Sequence, residues 1–195
     1  AARRLHPRGK VALRASRPGR SNLSQLAMPA TRTRHPAQRP LRLLFVCSGN
    51  TCRSPLAEVI ARRAGTEKGR QDMEFRSAGT STTAGLDASD GAHRAAERHG
   101  LSLQAHSSTP LSREAVEWAD LILTMGPSHL IRVRELGGDG KSALLGAYAG
   151  GSDAATGPAV PDPYGGGDET YEATYRTLEA MVRAALERLA GDRGE

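Results

Sequence analysis

The stretch that decides the fold is LRLLFVCSGNTCRSP, residues 41–55. Five of its first six residues are apolar, and a short apolar run of this kind predicts a buried strand over Leu41–Val46. A polar loop follows, after which Ser54 as N-cap and Pro55 at the first helical position predict the start of a helix. A loop that joins a strand to a helix lies at the carboxyl end of the strand, where α/β sheets bind their ligands.

Strands and helices continue to alternate along the rest of the chain. Short apolar segments predict further strands at 75–77, 121–123 and 142–145, and helical patterns cover 55–64, 87–99, 112–118 and 126–136. Beyond a Gly-rich loop at 150–167, apolar residues recur at steps of four and three from Tyr171 to Leu189, which is one face of a final helix. This order predicts an α/β fold, a single doubly wound domain with a four-stranded parallel sheet flanked by helices.

Length and composition exclude several classes of protein. With 195 residues, 38% hydrophobic and 25% charged, the chain has room for one α/β domain and a tail. No apolar run approaches the roughly 18 residues that a membrane span requires. Two cysteines, Cys47 and Cys52, are too few for a disulfide scaffold or a zinc site.

The net charge of +6 comes from the first 40 residues. They hold ten Lys/Arg and no Asp or Glu, whereas the remaining 155 hold 17 basic and 21 acidic residues. Residues 1–40 also contain five prolines and are expected to be a disordered basic extension before a domain at 41–191. Three accounts of this tail remain open: a transit segment, a nucleic-acid-binding arm, or sequence upstream of a true start at Met28. A nucleic-acid partner is expected only through this tail.

The loop after the first strand has the composition of an anion site. A helix N-terminus offers free N–H groups and the positive end of the helix dipole. Gly49 and Asn50 both tolerate backbone conformations that curl the loop amides inward around a phosphate.

Three side chains of this loop point to phosphoryl transfer. Cys47 faces the helix dipole and the cation of Arg53, which favour a thiolate, and a thiolate beneath a phosphoryl group is a nucleophile. Arg53 offers a planar fork to two phosphoryl oxygens. Ser54 can donate a hydrogen bond to the thiolate and assist its later departure.

Residues 43–58, LLFVCSGNTCRSPLAE, closely resemble the signature of the low-molecular-weight protein tyrosine phosphatases, most of all their protein arginine phosphatase branch. The resemblance continues through RSAG at 76–79, HSS at 106–108, ADLIL at 119–123 and DPYGG at 162–166. It covers about residues 41–190 and leaves out the tail.

The resemblance implies a metal-independent phosphoprotein phosphatase that forms a cysteinyl-phosphate intermediate and uses no cofactor. Cys47 is then the nucleophile, Arg53 the phosphate clamp and Asp162 the general acid, while Tyr164 forms a wall of the substrate pocket. The phosphate-binding loop consists of Ser48, Gly49, Asn50, Thr51, Cys52 and Ser54 around the two catalytic residues.

Two further expectations concern sulfur and histidine. Cys52 is either a packing residue or, as the family suggests, the partner of Cys47 in a reversible disulfide that protects the nucleophile from over-oxidation. The histidines His93, His99, His106 and His129 lack a metal-site spacing and are expected at the surface or in loops.

Three activities are compatible with this loop. A Thr at position 51 resembles the arginine-specific branch, whereas tyrosine-specific members typically carry a bulkier aliphatic residue there. Phosphoarginine in proteins is therefore the expected substrate, with phosphotyrosine as the alternative. Arsenate reduction is disfavoured because its relay needs cysteines outside the loop. We expect phosphorylated proteins as partners, no metal, no membrane association and a cytoplasmic location.

Overall fold

Strand β1 (Leu41–Cys47) is apolar on both faces, and it therefore lies inside the sheet. Leu43 and Phe45 pack into the larger core cluster, while Leu44 and Val46 pack into a second cluster. All four side chains are fully or almost fully buried. A strand that is covered on both faces is typical of a parallel sheet with helices on either side.

The computed structural model describes residues 39–152 and 157–192. Within them, β1 pairs in parallel with β2 (Met73–Gly79) and with β3 (Leu121–Thr124), and β3 pairs in parallel with β4 (Ser142–Leu144). The strand order is β2-β1-β3-β4. The chain therefore adds β2 on one side of β1 and then β3 and β4 on the other, which places the switch point of the sheet between β1 and β3. The predicted doubly wound, four-stranded parallel sheet is confirmed.

Six helices occur in the described residues. They are α1 (Arg53–Glu67), α2 (Asp90–Arg98), α3 (Arg113–Trp118), α4 (Pro127–Glu135), α5 (Leu145–Ala149) and α6 (Asp168–Asp192). The predicted inner face of α6 is confirmed, because all its members from Tyr171 to Leu189 are buried. The short helix α5 was not predicted, since its five residues are too few to show a periodicity.

The predicted start of α1 is wrong by two residues. The helix begins at Arg53, with Cys52 in the N-cap position and no side-chain cap. Ser54 cannot act as the cap because its hydroxyl is engaged with the Cys47 sulfur and the Asn50 amide. The residue that looks like a capping serine in the sequence therefore belongs to the loop chemistry instead.

Two further expectations concern the limits of the domain and membrane spans. The predicted tail covers residues 1–40; residues 1–38 lie outside the described residues, whereas Arg39 pairs with Asp120. The domain limits at 40/41 and 191 stay predictions. In the described ranges, none of the helices is both long enough and apolar enough to cross a membrane.

Candidate active site

The loop between β1 and α1 turns through Asn50, whose φ of 51° lies in the left-handed region. Asn50 is the one described non-glycine residue with a positive φ. Asparagine tolerates this region better than most residues, and a residue held there at a site indicates that its surroundings impose the conformation. The left-handed backbone that the sequence allows at Asn50 is present.

The sulfur of Cys47 is buried at the end of β1 and contacts two donors. The backbone N–H of Asn50 donates to Sγ at 3.3 Å, and the hydroxyl oxygen of Ser54 lies 3.0 Å from it. The sulfur also lies at the N-terminal end of α1, because it contacts Ser54, the second residue of that helix. Hydrogen-bonding groups and the positive end of a helix dipole therefore surround this sulfur.

The Asn50 side chain organises the side of the loop that faces the protein interior. Its Nδ2 group donates to the hydroxyls of Ser54 and Ser77, both at 2.9 Å, and its Oδ1 accepts from the backbone N–H of Thr109 at 2.7 Å. The Asn50 carbonyl accepts a hydrogen bond from Nε2 of His106 at 2.7 Å. Asn50 is fully buried, and these polar side-chain groups are satisfied by the protein itself.

The donor pattern of Asn50 fixes where the two serine protons go. Each hydroxyl oxygen accepts from Nδ2, so its own proton is available for another acceptor. Ser77 donates that proton to Oε2 of Glu58 at 2.7 Å. Ser54 has the Cys47 sulfur as its nearer remaining acceptor, with the Ala78 carbonyl more distant at 3.4 Å. The network therefore directs the Ser54 proton towards the Cys47 sulfur.

Arg53 and Asp162 meet on the opposite side of the loop, although 109 positions separate them. The Nη2 group of Arg53 pairs with Oδ2 of Asp162, and Nη1 donates to the carbonyl of Val160 at 3.4 Å. The Nε atom of Arg53 is buried and has no hydrogen-bond partner in the described part of the chain. The Arg53 side chain is 8% exposed and that of Asp162 is 49% exposed, so the acid lies at the rim.

A cavity of about 270 Å³ joins these groups. It is lined by Cys47, Ser48, Gly49, Thr51, Cys52, Arg53, Ser81, Asp162 and Tyr164. Of the predicted site residues, Asn50 and Ser54 lie outside this lining because they support the loop from behind. Tyr164 is 83% exposed at the mouth. The structure therefore brings the predicted residues together, while their roles stay predictions.

Cys52 has partners that the sequence did not reveal. Its sulfur lies 3.2 Å from the hydroxyl of Ser89 and 3.5 Å from that of Tyr171. Burial raises the pKa of Tyr171, and its hydrogen bond with Cys52 adds to that effect. Both cysteines are free thiols, and the predicted disulfide between them stays a prediction.

His129 contradicts the expectation of a surface or loop histidine. It belongs to α4, is 4% exposed, and its Nε2 lies 2.9 Å from the hydroxyl of Ser48 in the catalytic loop. Burial lowers its pKa to about 4, and the Arg53 cation acts in the same direction, against an opposing effect of Asp162. The ring is therefore neutral at pH 7.

Comparisons with known proteins agree with this geometry. Residues 42–194 match the model of the family described as low molecular weight phosphotyrosine protein phosphatase. The chain belongs to that family. A protein-arginine-phosphatase from Geobacillus stearothermophilus is 34% identical over 77% of this chain and 97% of its own length. The low molecular weight protein-tyrosine-phosphatase Wzb of Escherichia coli K12 is 36% identical over 72% of this chain and 90% of its own.

Solved structures give the same result. A structure of the YwlE arginine phosphatase, a mutant with a phosphorylated active-site serine, superimposes on this phosphatase with a TM-score of 0.72 at 32% identity. It covers 78% of this chain and 98% of its own. The predicted resemblance to this family and the prediction of a phosphoprotein phosphatase are therefore confirmed.

Sequence reasoning missed several residues that hold the catalytic loop of this phosphatase. Ser77 is a polar residue on β2 opposite Phe45 of β1, which is a signal that could have been used, and Thr109 lies beside the end of β2, where Gly79 donates to its carbonyl. His129 gave no such signal, because a histidine in an amphipathic helix resembles a surface residue. Among the described residues, no group of three or more acidic, His or Cys side chains could hold a metal ion.

Proposed function

We propose that this phosphatase removes phosphate from phosphoarginine in proteins through a cysteinyl-phosphate intermediate. The observation that carries the proposal is the cavity in which a buried, hydrogen-bonded sulfur faces a guanidinium and a carboxylate. These three groups are a nucleophile, an anion clamp and a proton donor, and metal-independent phosphoryl transfer needs all three.

In the first step, the Cys47 thiolate attacks phosphorus while the bond from phosphorus to the guanidino nitrogen breaks. Arg53 supplies donors to the equatorial oxygens, where the charge of the transition state is spread. The leaving nitrogen takes up the electron pair of the broken bond together with a proton from the Asp162 carboxyl group, which takes that proton from water once it has left Arg53. The products of this step are an unmodified arginine side chain on the substrate protein and a phosphoryl group bound covalently to the Cys47 sulfur.

The pairing of Arg53 with Asp162 suggests how the acid reaches the leaving group. The guanidinium fork that now holds the carboxylate is the same fork that a phosphoryl group would occupy. A bound phosphoryl group would therefore replace the carboxylate on Arg53 and leave the half-exposed Asp162 side chain next to the bond that breaks. We infer that substrate binding itself releases the acid from the clamp.

In the second step, water attacks the phosphocysteine. Asp162 removes a proton from that water, the sulfur–phosphorus bond breaks, and the sulfur leaves as a thiolate. The Ser54 hydroxyl at 3.0 Å stabilises that leaving sulfur. A phosphorylated serine in the mutant YwlE structure supports phosphoryl transfer onto this loop position in a relative.

Thr51 is the feature that favours arginine over tyrosine. Its side chain lines the cavity and its carbonyl accepts a hydrogen bond from the backbone N–H of Ser89 at 2.8 Å, which fixes its place. A hydroxyl near the mouth suits a polar guanidino group, whereas an aliphatic group packs better against a phenyl ring. Phosphotyrosine is the second candidate, since Wzb is as similar to this chain as the arginine phosphatase is.

The proposal includes partners and location. Phosphorylated proteins are the substrates, Arg53 supplies the cation that a metal would otherwise provide, and any contact with nucleic acid is restricted to the basic residues 1–40. A cytoplasmic location is proposed because a catalytic thiol requires a compartment that keeps it reduced.

The test compares kcat/KM on two peptides of one sequence, one with phosphoarginine and one with phosphotyrosine. We expect the phosphoarginine peptide to be the better substrate, and Cys47→Ser to lower turnover of both on the order of 10⁴–10⁶-fold. The melting temperature of Cys47→Ser is the control and should stay close to that of the wild type, which separates loss of the nucleophile from loss of the fold. A preference for phosphotyrosine would overturn the arginine assignment, and an active Cys47→Ser variant would overturn the covalent mechanism.

A further inference from the structure

Ser48 occupies a place in the cavity that the proposed mechanism does not use. It follows the nucleophile directly and lines the cavity together with Thr51 and Asp162. Its carbonyl accepts from the backbone N–H of Ser81 at 3.0 Å, which holds the residue against the segment after β2. Its hydroxyl, in contrast, meets the side chain of His129 at 2.9 Å.

The His129 ring is held in place by its position in α4 and by its packing. It lies on α4, two residues after that helix begins, and its ring packs over Gly126, where an added Cβ would lie 3.6 Å from Nδ1. With 4% of the residue exposed, the ring is shielded from water. Its position relative to Ser48 is therefore set by packing.

The surroundings of the two ring nitrogens differ, and this difference decides the tautomer. Nε2 faces the Ser48 hydroxyl, whereas Nδ1 is buried and has no partner within the ranges that the structure describes. The neutral ring carries one N–H. A proton on Nδ1 would bury a donor without an acceptor, which native proteins rarely tolerate, so the proton belongs on Nε2.

A proton on Nε2 makes His129 the donor and the Ser48 oxygen the acceptor. The Ser48 hydroxyl proton is then not used in this contact. No other acceptor lies within hydrogen-bonding distance of that hydroxyl among the side-chain contacts of the described residues, and the cavity is beside it.

We propose that His129 is a positioning residue that fixes the Ser48 hydroxyl as a hydrogen-bond donor to the phosphorylated substrate in the cavity. The proposal rests on the phosphatase function proposed above and adds a binding contact to it. Ser48 touches the substrate, and His129 acts through Ser48 alone.

The first test is a double-mutant cycle measured as kcat/KM on the phosphoarginine peptide. A hydrogen bond to a charged group is worth enough that Ser48→Ala should lose about 10–100-fold. His129→Leu should lose a similar factor, and the double variant should lose no more than either single variant. Losses that multiply would overturn the proposal, as would full activity in His129→Leu.

A second variant separates positioning from packing. His129→Gln places an amide N–H near the position of Nε2 and should recover kcat/KM to within about threefold of the wild type, whereas a purely structural role would leave it as impaired as His129→Leu. Melting temperatures of both variants serve as the folding control. If His129→Leu unfolds, the Gln variant and Ser48→Ala still decide the question.

A spectroscopic measurement tests the tautomer directly. Nitrogen-15 NMR of the imidazole at pH 7 should show the proton of His129 on Nε2, and a proton on Nδ1 would overturn the proposal. Failure of the phosphatase function itself would appear differently, as an absence of turnover in the wild type or its persistence in Cys47→Ser.

Discussion

The two sides of the catalytic loop differ in how their polar groups are satisfied. On the interior side, Asn50 is buried and bonded within the protein through a network that reaches Glu58. On the cavity side, the Nε atom of Arg53 has no hydrogen-bond partner within the described chain, and its Nη2 group pairs with the half-exposed Asp162. The interior side fixes the geometry in advance, and the cavity side leaves its charges available for exchange with a substrate.

The largest effect expected from a comparison of the two sides tests the cavity side. Asp162→Asn should lower kcat on the phosphoarginine peptide about 10²–10⁴-fold, because the leaving nitrogen then receives no proton from the enzyme. Binding of inorganic phosphate, measured as a competitive inhibition constant, should become no weaker, since Arg53 loses a competing carboxylate.

The leaving group provides the control for this prediction. An aryl phosphate with an acidic phenol needs little protonation, so its turnover should fall far less than that of the peptide. An equal loss on both substrates would mean that Asp162 holds the loop rather than transferring a proton. Weaker phosphate binding would contradict the proposed exchange on Arg53.

The next effect tests the interior side through stability. Asn50→Ala leaves the hydroxyls of Ser54 and Ser77 and the backbone N–H of Thr109 without their shared partner. It also places alanine at a positive φ, which alanine tolerates less well than asparagine does. We expect it to reduce the free energy of unfolding by about 3 kcal/mol, measured by urea denaturation. Asn50→Gly is the matched control, because it relieves the backbone strain but still loses the amide.

The two variants together separate strain from hydrogen bonding. Asn50→Gly should recover about 1 kcal/mol relative to Asn50→Ala, because left-handed backbone is the part that glycine accepts freely. A wild-type unfolding midpoint in both variants would show that the network does not hold the loop.

A smaller effect tests the choice between leaving groups. Thr51→Ile exchanges a hydroxyl for extra hydrocarbon without changing the β-branching, so the loop backbone should tolerate it. We expect the ratio of kcat/KM for phosphoarginine over phosphotyrosine to fall about 10–200-fold. Thr51→Val, which removes the hydroxyl at nearly constant shape, shows how much of the change comes from that group. An unchanged ratio would remove the main support for arginine specificity.

The smallest effect concerns the buried His129 between the two sides. Its pKa of about 4 in the fold lies below the unfolded value of about 6.5, so the unfolded chain binds the extra proton. The contribution of the neutral ring to the free energy of unfolding is therefore complete above pH 6.5, and it is lost as the pH falls towards 4. Between pH 7 and pH 5, wild type should lose about 2 kcal/mol more unfolding free energy than His129→Gln. Parallel pH profiles would contradict a buried neutral ring.

The fold was predictable because its signals are local. The apolar run of β1, the alternation of strands and helices and the inner face of α6 each depend on residues close together in the sequence. The error at the start of α1 has a specific cause, since Ser54 fulfils the sequence rule for a cap but its hydroxyl bonds the nucleophile. A contact within the β1–α1 loop, between residues seven positions apart, replaced the expected helix cap.

The candidate site was predictable on the cavity side and less so on the interior side. Cys47, Arg53 and Asp162 are identified by motifs, because their chemistry restricts the residue type. His129 and the Ser77–Glu58 pair support the loop across distances of 19 to 81 positions, and many residue types could provide such support. Their place becomes visible only when the sheet brings the strand ends together.

Helix α6 supplies contacts to the core and to the catalytic loop from the far end of the domain sequence. Its Tyr175, Leu178 and Val182 complete the core that covers α1, and its Tyr171 hydroxyl reaches Cys52 in the catalytic loop. A ribosome adds these residues more than a hundred positions after the nucleophile. Until α6 has emerged, α1 has an uncovered apolar face and the loop lacks one of its supports. We therefore expect the phosphatase to become active only after α6 has docked on the domain.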